Sequence, residues 1–176
     1  MNKPSYIKIL GKINIDPYIN FLNKNDINWN HSFNNLYNRD KDFKNVLAFP
    51  IVDQFKKLNF YSHFLEIGDE AQNLLFKNYG KGIFFKIHFS RMNSSSKIRK
   101  HTDNGLGFAL SHRVHIPLIT HDKVVVEVGN KKFIPLTGQM FEINNLKPHT
   151  VKVGGKKERL NLIIDYMKED IYESFF

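Results

Sequence analysis

Downstream of Gly82 the chain is broken into short apolar or alternating runs separated by turn residues, and this pattern limits the possible folds more than any other feature. Ile83, Phe85, Ile87 and Phe89 alternate with Phe84, Lys86, His88 and Ser90, the period of a strand. Further strands are expected at Arg99–Asp103, Ser111–Leu118, Val124–Val128, Lys132–Leu136, Gln139–Ile143, Thr150–Val153 and Arg159–Tyr166. Gly129–Asn130 is a short hairpin signal, and Asn144–Asn145 marks another turn. Many short strands at this spacing predict an all-β barrel or a double-sheet jelly roll.

Upstream the pattern is less regular. Asp69 and Glu70 in a first turn, then Ala71, Leu74, Leu75 and Phe76 ending at Gly80, predict a helix. Asp16–Pro17 reads as the N-cap and first position of a short helix through Lys24. Tyr6–Ile15 holds two apolar runs split by Gly11–Lys12 and predicts a hairpin, whereas Asn23–Asp42 is polar and loop-like. No repeat, linker or low-complexity tract divides the chain. A single domain over 1–176 is therefore expected: a support region to about residue 68, a helix plus β core over 69–166, and a tail over 167–176.

With 176 residues, 41% hydrophobic and 14% aromatic, the chain can bury a substantial core and is too apolar to be disordered. Its longest strongly apolar stretches, such as Ile83–Phe89 and Val124–Val128, fall far below the roughly 20 residues of a spanning helix. Met1–Leu10 lacks the apolar core and cleavage site of an export signal. A soluble, cytoplasmic protein with no membrane partner is expected. The formal charge of +9 comes from 26 basic residues of which only five are Arg, in a chain dense in Asn, Ile and Lys. That bias reads first as coding economy and second as a nucleic-acid footprint, so an Arg that appears against it draws attention.

The chain has no cysteine, which excludes disulfides, thiol nucleophiles, Cys-ligated zinc and iron–sulfur clusters. A metal must rest on His and carboxylates. His101 and Asp103 are spaced i, i+2, which on an extended strand puts both side chains on one face. They would make two-thirds of a 2-His-1-carboxylate triad, the arrangement that leaves half an Fe(II) coordination sphere open. The remaining ligand must come from another strand. His149, after Pro148 and at the start of Thr150–Val153, is the best candidate; His63, His88 and His121 sit in less suggestive surroundings. His-x-Asp alone is a common chance pattern, and its weight comes from what accompanies it.

If the cosubstrate is 2-oxoglutarate, its distal carboxylate needs a fixed cation, and a planar fork serves better than Lys. Arg159 lies ten residues after His149, across Gly154–Gly155. An antiparallel hairpin would bring the two close, on one face only if the loop holds an odd number of residues, such as Gly154–Lys156. Arg113 and His115 share one face of their strand, as do His88 and Ser90 of theirs. By themselves these pairs could be no more than a solvated basic face.

Together, Phe89-Ser90-Arg91-Met92, His101-Thr102-Asp103, Arg113-Val114-His115-Ile116-Pro117-Leu118, His149 and Arg159 resemble the aspartyl/asparaginyl β-hydroxylase family from about Leu74 to Tyr166. These are Fe(II)- and 2-oxoglutarate-dependent oxygenases with a double-stranded β-helix (jelly-roll, cupin-like) core and a few supporting helices. The resemblance implies iron ligation by His101, Asp103 and His149, although some members lack the carboxylate. It implies that Arg159 pairs with the distal carboxylate of 2-oxoglutarate, and that Ser90, Met92, Arg113 and His115 line the cosubstrate pocket. O2 would then hydroxylate an unactivated C–H bond, with succinate and CO2 as coproducts. Family substrates include Asp/Asn side chains of peptides, free amino acids and lipid acyl chains. The short chain, without a peptide-presenting repeat, favours a small molecule or short peptide.

Two other classes stay open at this point. A basic nucleic-acid-binding β domain would use Lys97–Lys100 and Lys152–Lys157, although the Lys are dispersed and no nucleic-acid motif appears. A non-oxygenase metal-binding cupin-like protein would have no need of Arg159. Residues before Asp69 and the loop Arg91–Lys100 are expected to shape the pocket. Trp29, Tyr37 and Phe60–Phe64 are candidate pocket walls that more commonly belong to plain core.

Overall fold

The computed structural model describes residues 2–29 and 46–175. Tyr37 and the greater part of the expected polar loop 23–42 lie outside the described residues. The first elements are β1 (Ile7–Lys12), α1 (Asp16–Lys24), β2 (Val46–Asp53), β3 (Lys56–Lys57), α2 (Tyr61–Ile67) and α3 (Asp69–Tyr79). The strand-rich part then runs β4 (Gly82–Met92), β5 (Lys97–His101), α4 (Leu106–Leu110), β6 (His112–Ile119), β7 (Val124–Val128), β8 (Lys131–Phe133), β9 (Gln139–Ile143), β10 (His149–Val153), β11 (Arg159–Lys168) and α5 (Glu169–Phe175). The strands form two sheets, ordered β1-β9-β6-β11-β4-β2-β3 and β5-β10-β7-β8. Their pairings are antiparallel. This is a mainly β jelly roll, the double-stranded β-helix. Among the described residues no helix is long and apolar enough to cross a membrane.

Period-two alternation sorts the three central strands of the larger sheet onto two faces. Ile87 and Phe89 of β4, Val114, Ile116 and Leu118 of β6, and Leu160, Leu162 and Ile164 of β11 share one core with Tyr18, Phe21, Phe64, Ala71 and Leu75 of the N-terminal helices. The Phe89 ring stacks on Phe21 at 5.9 Å and meets Phe64 edge-on at 6.3 Å. The opposite residues are Lys86, His88, Ser90, Arg113, His115, Arg159, Asn161 and Asp165, and these are buried as well. They face inward, toward the smaller sheet. A second core of Met92, Ile98, Val124, Val126, Val128, Phe141, Ile143, Val151 and Val153 fills the rest of the space between the sheets.

The expected helices over Asp16–Lys24 and up to Gly80 are present, except that Asp16 is the first helical residue of α1 and Ile15 its cap. The hairpin expected in Tyr6–Ile15 does not form. Ile7–Lys12 is one strand that pairs with β9, with a register shift between Ile9 and Gly11. A Cβ on Gly11 would come within 2.9 Å of Leu74 Cδ1 of α3, so a larger residue would require that side chain to shift. The expected hairpin between His149 and Arg159 is also absent. β10 is flanked by β5 and β7, and β11 by β6 and β4, so both edges of each strand are occupied and the two lie in different sheets. The Gly154–Gly155 segment therefore crosses between sheets, tied by the Gly154 N–H donating to Lys123 O at 3.0 Å. The Gly129–Asn130 turn does join a hairpin, β7–β8, with Gly129 at φ 59°.

Candidate active site

A cavity of ≈ 360 Å³ opens between the two sheets. His101 ends β5, His149 begins β10, and the register of these strands sets the two residues directly opposite each other. Their rings lie 4.3 Å apart. The strand stops at His101, so the shared-face argument does not carry Asp103 to the site. Instead its backbone N–H donates to Asn145 O at 3.0 Å, and this anchors the turn beside the histidines. Asp103 Oδ1 is then 3.8 Å from His101 Nε2, and Oδ2 is 3.8 Å from His149 Nε2.

The tautomers follow from the backbone. His101 Nδ1 lies 2.8 Å from Arg99 O, and His149 Nδ1 lies 2.9 Å from Lys147 O. A carbonyl only accepts, so each Nδ1 carries a proton, which leaves Nε2 as the ring nitrogen able to ligate. Burial brings the His149 imidazole down to about 4, against a weaker upward pull from Asp103, which keeps it neutral at physiological pH. One ligand atom from each of His101, Asp103 and His149 lies within 4.8 Å of the others. Two imidazole nitrogens and a carboxylate oxygen converging from one side, with open cavity on the other, suit a mononuclear Fe(II) site.

Arg159 also lines the cavity, from the opposite sheet. It is 1% exposed, and Nη1 points to Met92 Sδ at 3.7 Å, while Nε and Nη2 have no hydrogen-bond partner among the described residues. Burial lowers the guanidinium to about 10, so it remains charged. His115 presents a second unfilled donor. Asn161 Nδ2 donates to Leu162 O at 2.9 Å, which fixes the amide, and lies 3.2 Å from His115 Nδ1. His115 Nδ1 is therefore an acceptor, and the buried Nε2 holds the proton with no acceptor among the described residues. Burial, reinforced by the Arg159 and Arg113 charges, pushes this imidazole well below its ordinary value and keeps it neutral. A guanidinium and an imidazole N–H, both buried and both on residues that line one cavity, are suited to holding a carboxylate.

Arg113 is committed differently. Its Nε and Nη2 donate to the two oxygens of Asp165 at 2.8 and 2.9 Å, and Nη1 donates to Asp103 Oδ2 at 2.5 Å. The guanidinium also lies over the Phe108 ring at 4.8 Å. Lys86 pairs with Asp53 at 3.2 Å.

Ser90, His101, Asp103, Arg113, His115, His149 and Arg159 thus share one cavity. Met92 does not line it but stands behind Arg159, its partner across β4 and β11. Val46, Ala48 and Gln54 bring the N-terminal part of the chain to the wall, whereas the loop Arg91–Lys100 contributes Ile98. Trp29 and Phe64 pack in the helix-side core instead. Asp165 and Asn161 escaped sequence reasoning. The available signal was polar residues recurring on one face of a strand, Arg159–Tyr166, whose other face is uniformly apolar.

A family model described as Aspartyl/Asparaginyl beta-hydroxylase matches residues 66–169. No curated protein matches the sequence. Among solved structures, the chain is similar to an oxidoreductase of the 2OG-Fe(II) oxygenase family from Burkholderia pseudomallei, at 21% identity over 69% of this chain and 67% of that one, TM-score 0.56. It is also similar to a viral collagen prolyl hydroxylase from Paramecium Bursaria Chlorella virus-1, solved with 2OG, at 9% identity over 93% of this chain and 96% of that one, TM-score 0.58. EvdMO1 shares 12% identity over 93% of this chain and 47% of that one, TM-score 0.62. At these identities the likeness establishes a shared fold.

Proposed function

The chain belongs to the aspartyl/asparaginyl β-hydroxylase family and is a 2-oxoglutarate-dependent hydroxylase, and on that premise we propose that His101, Asp103 and His149 hold Fe(II) while Arg159 binds the distal carboxylate of 2-oxoglutarate. The observation that carries this reading is the Arg159 guanidinium, 1% exposed and with two nitrogens unpartnered among the described residues, in the same cavity as the His–Asp–His cluster. A buried charge without a counter-ion is costly, and an anionic ligand removes the cost. Met92 Sδ braces the guanidinium from behind, His115 Nε2–H and Ser90 add polar contacts to the cosubstrate, and the Nδ1–carbonyl bonds keep both histidines in the ligating tautomer.

With Fe(II) and 2-oxoglutarate held by these residues, the site would supply the chemistry that couples O2 and 2-oxoglutarate to hydroxylation of an unactivated carbon, with succinate and CO2 as coproducts. Ala48, Ile98, Val126, Ile143 and Val151 wall the cavity with apolar surface and limit water. A volume of ≈ 360 Å³ shared with the cosubstrate fits an amino acid or a short peptide side chain of the Asp/Asn type. The test is succinate release by the purified protein, with free amino acids and short Asp- and Asn-containing peptides screened for stimulation. Release should require both Fe(II) and 2-oxoglutarate. Succinate formation that persists without iron, or none with any substrate, would overturn the reading.

A further inference from the structure

Asp165 is 0% exposed and lies in mid-strand on β11, where the register sets it between Lys86 of β4 and Arg113 of β6. Both of its oxygens accept from Arg113, in the parallel two-bond geometry that fixes a guanidinium plane. The third Arg113 bond, from Nη1, goes to Asp103 Oδ2 at 2.5 Å. Asp103 stands two residues beyond the end of β5, so no strand pairing fixes its carboxylate. With Oδ2 held by Arg113, the carboxylate faces both histidines, Oδ1 at 3.8 Å from His101 Nε2 and Oδ2 at 3.8 Å from His149 Nε2. We infer that Asp165 is a positioning residue for the metal site: it fixes and neutralises Arg113, which in turn orients the Asp103 carboxylate. The inference rests on the proposed role of Asp103 as a metal ligand.

Charge explains why two residues are needed. A lone guanidinium on a ligating carboxylate competes with the metal for that carboxylate and places a cation beside a cation. With Asp165 paired to it, Arg113 is neutralised in place and the Asp103–Arg113–Asp165 trio keeps a net single negative charge for the metal. The Phe108 ring against Arg113 leaves the guanidinium little room to swing. Three of the five Arg113 N–H groups are committed to these two carboxylates.

The test is Co(II) binding to the whole protein, followed by its visible absorption bands and by titration, in a double-mutant cycle of Asp165→Asn with Asp103→Asn. Asp165→Asn keeps the shape but turns an amide N–H₂ against Arg113, so the two-bond pairing is lost. Expected is a Co(II) Kd raised about 10-fold or more and altered bands, as for lost outer-shell partners. In the Asp103→Asn background the same change should move Kd by less than about 2-fold, because its route to the metal is gone. Wild-type affinity in Asp165→Asn, or an equal loss in both backgrounds, would overturn the inference. If Asp165→Asn does not fold, Arg113→Lys enters the same cycle with the same expectations, since an ammonium cannot hold both carboxylates in plane. Failure of the wild-type protein to bind Co(II) would instead sink the metal site itself, and the inference with it.

Discussion

Replacing Arg159 with Met should make the ligand-free protein more stable while destroying its response to 2-oxoglutarate. Burial lowers the guanidinium from its ordinary value to about 10. At about 1.4 kcal/mol per factor of ten in proton affinity, carrying that charge costs about 3 kcal/mol. The sign is that of a base depressed in the folded state: the cost is fully present below about pH 10 and is relieved only as pH rises past it. Met refills much of the volume beside Met92 without a charge, so a gain of about 1–3 kcal/mol is expected, reduced by imperfect packing. For a chain of this size that is a rise in Tm of very roughly 2–10 °C at neutral pH. The wild-type protein, in turn, should gain about 2.7 kcal/mol at 2-oxoglutarate concentrations 100 times Kd. The variant has lost the partner of a buried charged contact worth about 2–5 kcal/mol and should show almost no such gain. Thermal melts of both proteins, with and without 2-oxoglutarate and Co(II), read both effects. A variant that melts lower than wild type and still responds to 2-oxoglutarate would refute the argument, because Arg159 would then be a structural cation with a partner.

Three further outcomes follow from the same geometry. Arg159→Lys keeps the charge but loses the planar fork, so the KM for 2-oxoglutarate should rise by about 10-fold or more, and an unchanged KM would remove Arg159 from the cosubstrate site. His101→Ala or His149→Ala should abolish iron-dependent succinate formation while circular dichroism remains that of a folded β protein. His115 and His88 are held well below the ordinary imidazole value by burial, so the unfolded chain takes up their protons first on acidification. Their contribution to stability is fully present above about pH 6.5 and falls below it by up to about 1.4 kcal/mol per pH unit for each group. His115→Asn should flatten the acid limb of the unfolding free energy measured in urea, and an unchanged slope would contradict the assignment.

Much of the β core could be read from the sequence, and the reason is local. Val124–Val128 and Gln139–Ile143 coincide with β7 and β9, because each run is apolar at its inward positions and bounded by turn residues. What stayed hidden was non-local. Gly154–Gly155 looks like a hairpin turn, but whether the next strand returns to the same sheet depends on which edges are already taken, and β10 and β11 have none free. β2 was missed because Pro50 interrupts its pattern, a break that the sheet absorbs as a register shift between Pro50 and Val52. In the site, ligand types and spacings pointed to His101, Asp103, His149 and Arg159, all of which line the cavity. The partner of Arg113 could not be read, because Asp165 lies 52 residues away and meets it only through the β6–β11 register.

The inner face of β4, β6 and β11 would be a poor core by itself. It buries Lys86, His88, Ser90, Arg113, His115, Arg159, Asn161 and Asp165 along three adjacent strands. Their other face bears Ile87, Phe89, Val114, Ile116, Leu118, Leu160, Leu162 and Ile164, sealed by α1, α2 and α3. Fully burying such a side chain is worth about 1.5–3 kcal/mol, which gives the sheet a margin to carry polar groups on its inner surface. The inner charges then differ in one decisive respect. Lys86 and Arg113 are met by carboxylates of the chain itself, whereas Arg159 has two nitrogens with no partner among the described residues. A fold that needed a cation there only for packing would have supplied a counter-ion, as it does for Arg113 from the adjacent strand. The helix-side core offsets the cost of a buried Arg159, and on the proposed reading the arriving 2-oxoglutarate carboxylate supplies the counter-ion that the described residues do not.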